Sequence, residues 1–219
     1  MKSLKHTLAT ASLVFVMAAA AGAQMGMRQT QLPRGVFRPV VGQGALYEKA
    51  DSGSPKRNVE FNVVGKDSVN GKDAYWLEFN IPDTPMGEVV SKIQVVVDNG
   101  VTYTARTIVQ MAGNPPMEMP AAMSSKAQTP VEIKDKADDL GSESVTTPAG
   151  TFSCEHYRAK DGSGDSWVSE KVTPFGLVKS VDKDGSTLTL LKTTSGVTDK
   201  ITAAPVPFNP MMFMGRGGR

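Results

Sequence analysis

Residues 93 to 109 read IQVVVDNGVTYTARTIV, and no other stretch restricts the folding options of the chain so tightly. A β-branched apolar run leads into Asn99-Gly100, after which Val101, Tyr103 and Ala105 alternate with Thr102, Thr104 and Arg106. Alternation with period two suits a strand with one buried face, because successive side chains point to opposite sides. Asn-Gly tolerates the two positive φ angles of a type I′ turn, whose twist matches that of the strands it joins. The segment therefore predicts an antiparallel hairpin.

The same pattern recurs along the chain. Val59, Phe61 and Val63 alternate with Glu60 and Asn62 over 57–66, Asn70-Gly71 turns, and residues 74–81, carrying Tyr75, Trp76, Leu77 and Phe79, return. Pro82 and Pro85 are expected to end that strand, since proline offers the ladder no donor. MAGNPPMEMPAAMSS (111–125) has no period and reads as a loop between two halves. Residues 131–141 suit either a short helix or a strand followed by a loop. In the second half, residues 143–147, 151–160, 166–170, 177–182 and 187–194 read as strands. They are separated by Pro148-Ala149-Gly150, Asp161-Gly162-Ser163-Gly164, Pro174-Phe175-Gly176 and Asp184-Gly185. Many strands and almost no amphipathic helix predict a mainly β chain, a curved antiparallel sheet or half-barrel with one face buried and one wet.

The N-terminus supplies a compartment. Lys2 and Lys5, an apolar run over 8–20 and Ala21-Gly22-Ala23 have the layout of a secretory signal peptide, with cleavage expected after Ala23. The run is shorter than the roughly 20 residues of a spanning helix, and no second run of that length follows. A mature protein without a transmembrane segment, periplasmic or secreted, is expected. The domain plan is 1–23 signal peptide, 24–44 flexible leader, 45–197 single antiparallel β domain, and 198–219 flexible Met- and Gly-rich tail. Cleavage would remove two lysines and no acid, leaving 22 residues of each sign. A neutral chain lacks the clustered cations of a nucleic-acid binder. Its one cysteine excludes an intrachain disulfide, so stability must come from a core.

The candidate sites follow from residue types and spacing. Cys154 and His156, two apart on a strand, share a face. A thiol enzyme also needs a group that orients the imidazole, and Glu155 points the other way. Phe152 and Cys154 are therefore read as core-facing, with His156 toward the margin and no catalytic residue assigned. One cysteine and one histidine fall short of a zinc set. Met117, Met119 and Met123 in the loop, with Met211, Met212 and Met214 in the tail, offer soft thioethers for copper as a weaker alternative. Tyr75, Trp76, Phe79 and Trp167 are the candidate ligand-binding aromatics, although alternation places Trp76 opposite Tyr75 and Phe79. Asp138-Asp139 and the Asp182/Asp184 pair lack the ligand spacing of a calcium loop.

At ESVTTPAGTFSCEHYRAKDGSGDSWVSEKVTPFGLVKS (143–180) the chain resembles a group of uncharacterised bacterial envelope proteins. These carry a PAGTF-x-C turn and strand, a Trp-bearing strand and a P-x-G-L-V-K segment, and GNPPMEMP (113–120) looks like a second shared stretch. The resemblance covers about 45–195. It implies a fold similar to the half-barrels of lipoprotein-carrier type, in which a sheet wraps around a helix or an apolar ligand, and it implies no reaction. The sequence therefore predicts a non-catalytic secreted or periplasmic module, without a cofactor, that binds an apolar or cell-envelope ligand on the concave face of its sheet. The alternatives are a thiol-dependent enzyme using Cys154 and His156, or a Met-rich copper-binding protein.

Overall fold

A computed structural model describes residues 36–51, 53–84, 87–120 and 132–209. The expected signal peptide and its cleavage site lie outside the described residues. The alternating segments form β1 (Gln43–Ala50), β2 (Arg57–Val69), β3 (Lys72–Thr84), β4 (Gly87–Asp98), β5 (Val101–Met111) and β6 (Met117–Glu118). A four-residue helix, α1 (Ile133–Lys136), then leads into β7 (Ala137–Thr147), β8 (Gly150–Ala159), β9 (Gly164–Val168), β10 (Leu177–Asp182), β11 (Thr187–Ser195) and β12 (Val206–Pro207). All twelve strands join one open, curved sheet in the order β12-β6-β5-β4-β3-β2-β1-β11-β10-β9-β8-β7.

Turn chemistry and burial together fix the pairing. Asn70 and Asn99 take φ of 52° and 50°, followed by Gly71 at 74° and Gly100 at 78°, as a two-residue I′ connection requires. These turns set Val69 opposite Lys72 and Asp98 opposite Val101. A slip by one residue would send every buried side chain to the wrong face. The register instead aligns Phe61 with Phe79, and Val63 with Leu77 and Ile93. The chain meanders outward from β1 to β6, crosses to the far edge, and returns from β7 to β11, which pairs with β1 from Gln43/Ser195 onward. The main core covers the inner face of the sheet and includes Tyr47, Phe61, Val63, Leu77, Val178 and Leu190, each at most 1% exposed.

Several boundaries differ from expectation. β3 continues through Pro82 to Thr84, because β2 pairs with it only as far as Asn80 and its pairing with β4 is irregular between Ile81 and Thr84. There the missing N–H costs no ladder bond. Where a short helix or a strand followed by a loop was expected, α1 leads directly into β7, which runs on to Thr147 with no loop between; α1 buries nothing. Met117–Glu118 forms a strand inside the expected loop, between β5 and a parallel β12. Parts of the expected leader and tail are among the described residues. Val36 and Phe37 pack against the core, and residues 197–209 lie against the sheet with Ile201 4% exposed. Residues 24–35 and 210–219 lie outside the described residues.

Candidate functional site

Six aromatic rings gather on the inner face. Alternation and register bring Tyr47, Phe61, Tyr75 and Phe79 there from β1, β2 and β3. Phe61 meets Tyr47 at 5.3 Å and Phe79 at 5.1 Å between ring centroids, both edge-on. The other two rings come from irregular segments. Phe37 sits 5.9 Å from both Tyr75 and Phe175, and Phe175 stacks on Phe79 at 6.4 Å. Edge-to-face and offset arrangements are the favourable ones for aromatic quadrupoles.

The irregular segments form a plug and are joined by polar contacts. Arg38 N–H donates to Pro174 O at 2.8 Å, and Thr173 Oγ1 donates to Arg38 O at 2.9 Å. The Arg38–Glu170 ion pair is exposed. Beneath the plug, the fully buried Tyr47 hydroxyl donates to Leu177 O at 2.8 Å and ties β1 to β10. Burial pushes that phenol above its usual pKa. Where the resemblance implied a helix or a ligand, the structure places Phe37, Val172 and Phe175.

Three of the four candidate aromatics, Tyr75, Phe79 and Trp167, lie in or against the main core, and Trp76 stands apart from them. Tyr75 and Phe79 belong to the inner cluster. Trp76 lies on the outer face with Lys92 Nζ 5.1 Å and Arg106 Cζ 5.4 Å from its ring centroid, packed against Val90, Ile108 and Ile201. Trp167 on β9 stacks on His156 at 4.4 Å, lies under Lys179 Nζ at 5.2 Å, and donates its Nε1–H to Glu143.

Cys154 is 1% exposed, with its Sγ 3.7 Å from Phe152 O. Burial, reinforced by Glu143 and Glu155, pushes its thiol up to about 11. His156 places Nδ1 2.9 Å from Glu143 and Nε2 3.5 Å from Asp165. Asp165 also receives a two-pronged ion pair from Arg158 (2.8 and 3.0 Å), which holds its carboxyl below the usual range. Glu155 is exposed and accepts from Ser142 Oγ, as its strand position dictates. The imidazole does have an orienting carboxylate, Glu143, from the neighbouring strand. The arrangement suits a neutral thiol and a histidine clamped between acids.

Among the described residues, no group of three His, Cys, Asp or Glu is placed to hold a metal ion. Met117 is fully buried in β6, and Met119 is partly buried, its N–H bonded to Thr107 O. Met123 and the tail methionines lie outside the described residues. No helix among the described residues is long and apolar enough to cross a membrane.

Sequence reasoning missed a polar knot on the outer face. Glu78, 0% exposed in the middle of β3, receives backbone N–H groups from Lys200 and Ile201, and Lys92 binds Asp199 beside it. A lone acid inside an apolar strand was its only sequence signal.

No family model and no curated protein matches the chain. Solved structures match part of the chain at TM-scores below 0.5. One is a protein described as a "putative lipoprotein" from Parabacteroides distasonis, 15% identical with a TM-score of 0.42 over 74% of this chain and 99% of that one. Another is a "putative exported protein with YmcC-like fold" from Bacteroides fragilis, at 12% identity and a TM-score of 0.42 over 74% and 100%. A third is MucB in complex with MucA(peri), at 10% and 0.34, where the match covers 74% of this chain and 53% of MucB.

Proposed function

We propose that the chain is a non-catalytic, secreted or periplasmic β-sheet module that takes an apolar or cell-envelope ligand on the inner face of its sheet, where Phe37 and Phe175 now sit. The observation that carries this reading is the aromatic inner wall closed by coil instead of by strand or helix. A strand leaves a sheet only by losing its ladder of hydrogen bonds, whereas residues 36–38 belong to no strand and meet the 173–174 turn through contacts that include Arg38 N–H to Pro174 O and Thr173 Oγ1 to Arg38 O. An acyl chain or similar slender apolar group would replace the ring contacts that the plug gives up. The signal-like residues 1–23 support the compartment. The burial of Cys154 and its raised pKa favour a non-catalytic role over the thiol-enzyme alternative.

The test is binding of a dansylated fatty acid by the full chain, alongside native mass spectrometry of protein recovered from its own cell envelope. Phe37→Ala should bind the probe more tightly than the parent, since it removes a competitor for the same wall. Absence of binding in both proteins, together with a clean apoprotein mass, would overturn the proposal.

A further inference from the structure

The strap formed by residues 197–209 crosses the outer face of β3–β5, and its attachment is mostly polar. The Glu78 carboxylate accepts from Lys200 N–H at 3.0 and 3.1 Å and from Ile201 N–H at 3.1 Å. Asp199 caps the same turn, accepting from Ile201 N–H at 2.9 Å, and binds Lys92 Nζ, which also reaches Ile201 O at 3.3 Å. Ile201 anchors the strap among Val90, Ile108 and Trp76. Beyond it, residues 202–204 are exposed until β12 joins β6.

The charges in this knot do not balance when every group carries its ordinary charge. β3 presents Glu78, β4 presents Lys92 opposite it, and β2 presents the uncharged Asn62. The strap presents Asp199 and Lys200. Lys200 Nζ turns away to Glu88 at 2.8 Å, while Arg106 lies over the far side of Trp76 and pairs with Glu118. Asp199 takes the Lys92 ammonium, which leaves the buried Glu78 carboxyl beside a second acid. Burying an uncompensated charge is costly, and a proton held between the two acids removes the excess.

We propose that Glu78 and Asp199 form a proton-dependent latch that seats residues 197–209 on the outer face in mildly acidic surroundings and loosens them as the pH rises toward neutrality. This device is separate from the inner-face reading and stands whether or not that face takes a ligand. Burial and the neighbouring Asp199 push Glu78 up to about 7. A strap-free Glu78 would meet water and titrate near its ordinary value. Seating therefore takes up a proton, so it is favoured fully below about pH 4.5, weakens as pH rises through about 7, and is flat above that. One linked proton gives a slope of up to tenfold per pH unit in the seating equilibrium.

Hydrogen exchange at the Lys200 and Ile201 amides of the full chain, corrected for intrinsic chemistry, reads that equilibrium. In the parent, protection should fall severalfold per unit between about pH 5 and 7 and then level off. Glu78→Gln keeps a carbonyl acceptor but cannot titrate, and its profile should be flat. Asp199→Asn removes the partner that retains the proton, so its profile should begin to fall at lower pH than the parent's. A parent profile without pH dependence, or the same decline in Glu78→Gln, would overturn the latch. If circular dichroism shows that Glu78→Gln does not fold, the Asp199→Asn profile decides, and an unshifted midpoint overturns the latch.

Discussion

Replacing Phe61 and Phe37 by alanine, one at a time, tests whether the inner face has a fixed core with a removable plug. Phe61 is 1% exposed and meets three rings, Tyr47, Phe79 and Phe175. Deleting a buried phenylalanine ring costs about 3–5 kcal/mol through lost transfer energy and the cavity left behind. Three ring contacts in a sheet that cannot collapse inward argue for the upper half of that range. Phe37 is only partly buried and meets two rings at 5.9 Å, so about 1–2 kcal/mol is expected for it. Urea unfolding followed by circular dichroism and tryptophan fluorescence gives both values. With a slope near 2 kcal/mol per molar, the midpoint should drop by about 2 M for Phe61→Ala and by less than about 1 M for Phe37→Ala. A cost below about 1.5 kcal/mol for Phe61 would contradict the tight inner packing. A cost above about 3 kcal/mol for Phe37 would make residues 36–38 part of the cooperative core and refute a displaceable plug.

Gly44→Ala should destabilise the fold by more than about 2 kcal/mol, because its Cβ would collide with Asn62 Oδ1 and come within 2.5 Å of the Phe61 carbonyl, and relief would open the β1–β2 ladder. Thermal unfolding measures this, and an unchanged midpoint would count against the close β1–β2 approach. Cys154 should resist iodoacetamide at pH 8 in the folded chain and react once urea is added; rapid native alkylation would revive the thiol-enzyme reading. Asp182 is pushed up to about 6 by burial, Asp184 and Asp51, with Lys49 opposing. Its ionisation therefore penalises the fold: the associated stability is full below about pH 3.8 and is lost as pH rises through about 6. Asp182→Asn should stabilise by about 1–2 kcal/mol at pH 8, after allowing for screening, and change little at pH 4. Urea midpoints across that range check the sign.

The hairpins were legible because their information is local. Val101–Met111 and its partner carry both the alternation and the Asn-Gly turn within a few residues. The pairing of β1 with β11 was not legible, since Gln43 and Ser195 are ladder partners on strands far apart in sequence, with no local signal joining them. The role of Glu143 in orienting His156 failed for a related reason. Glu143 stands in an ordinary polar strand, and only the β7–β8 register, with its irregularity between Asp139 and Ser142, brings it beside the imidazole. Tyr75 and Phe79 were separable from Trp76 by alternation alone. What alternation could not supply was the covering of the inner face, because Phe37 and Phe175 lie in segments with no period.

Coil lies on both faces of this sheet where many folds use helices, residues 36–38 and 172–175 on the inner face and residues 197–209 on part of the outer one. The two coverings approach each other where Val197 N–H donates to Gly42 O at 3.1 Å, beside the Gly42 N–H bond to Val63 O at 2.8 Å. One backbone bond contributes about 1 kcal/mol net, and here it joins residues already placed by β1 pairing with both β2 and β11. Release of the strap from Ile201 onward should therefore leave Gly42 where it is and transmit little to Phe37. Hydrogen exchange at Arg38, whose N–H is held by Pro174 O, should change by less than about threefold over the pH range that loosens Lys200 and Ile201. Parallel loss of protection at Arg38 and Ile201 would show that the coverings open as one unit, and an apolar ligand on the inner face would then be linked to the protonation of Glu78 on the outer one.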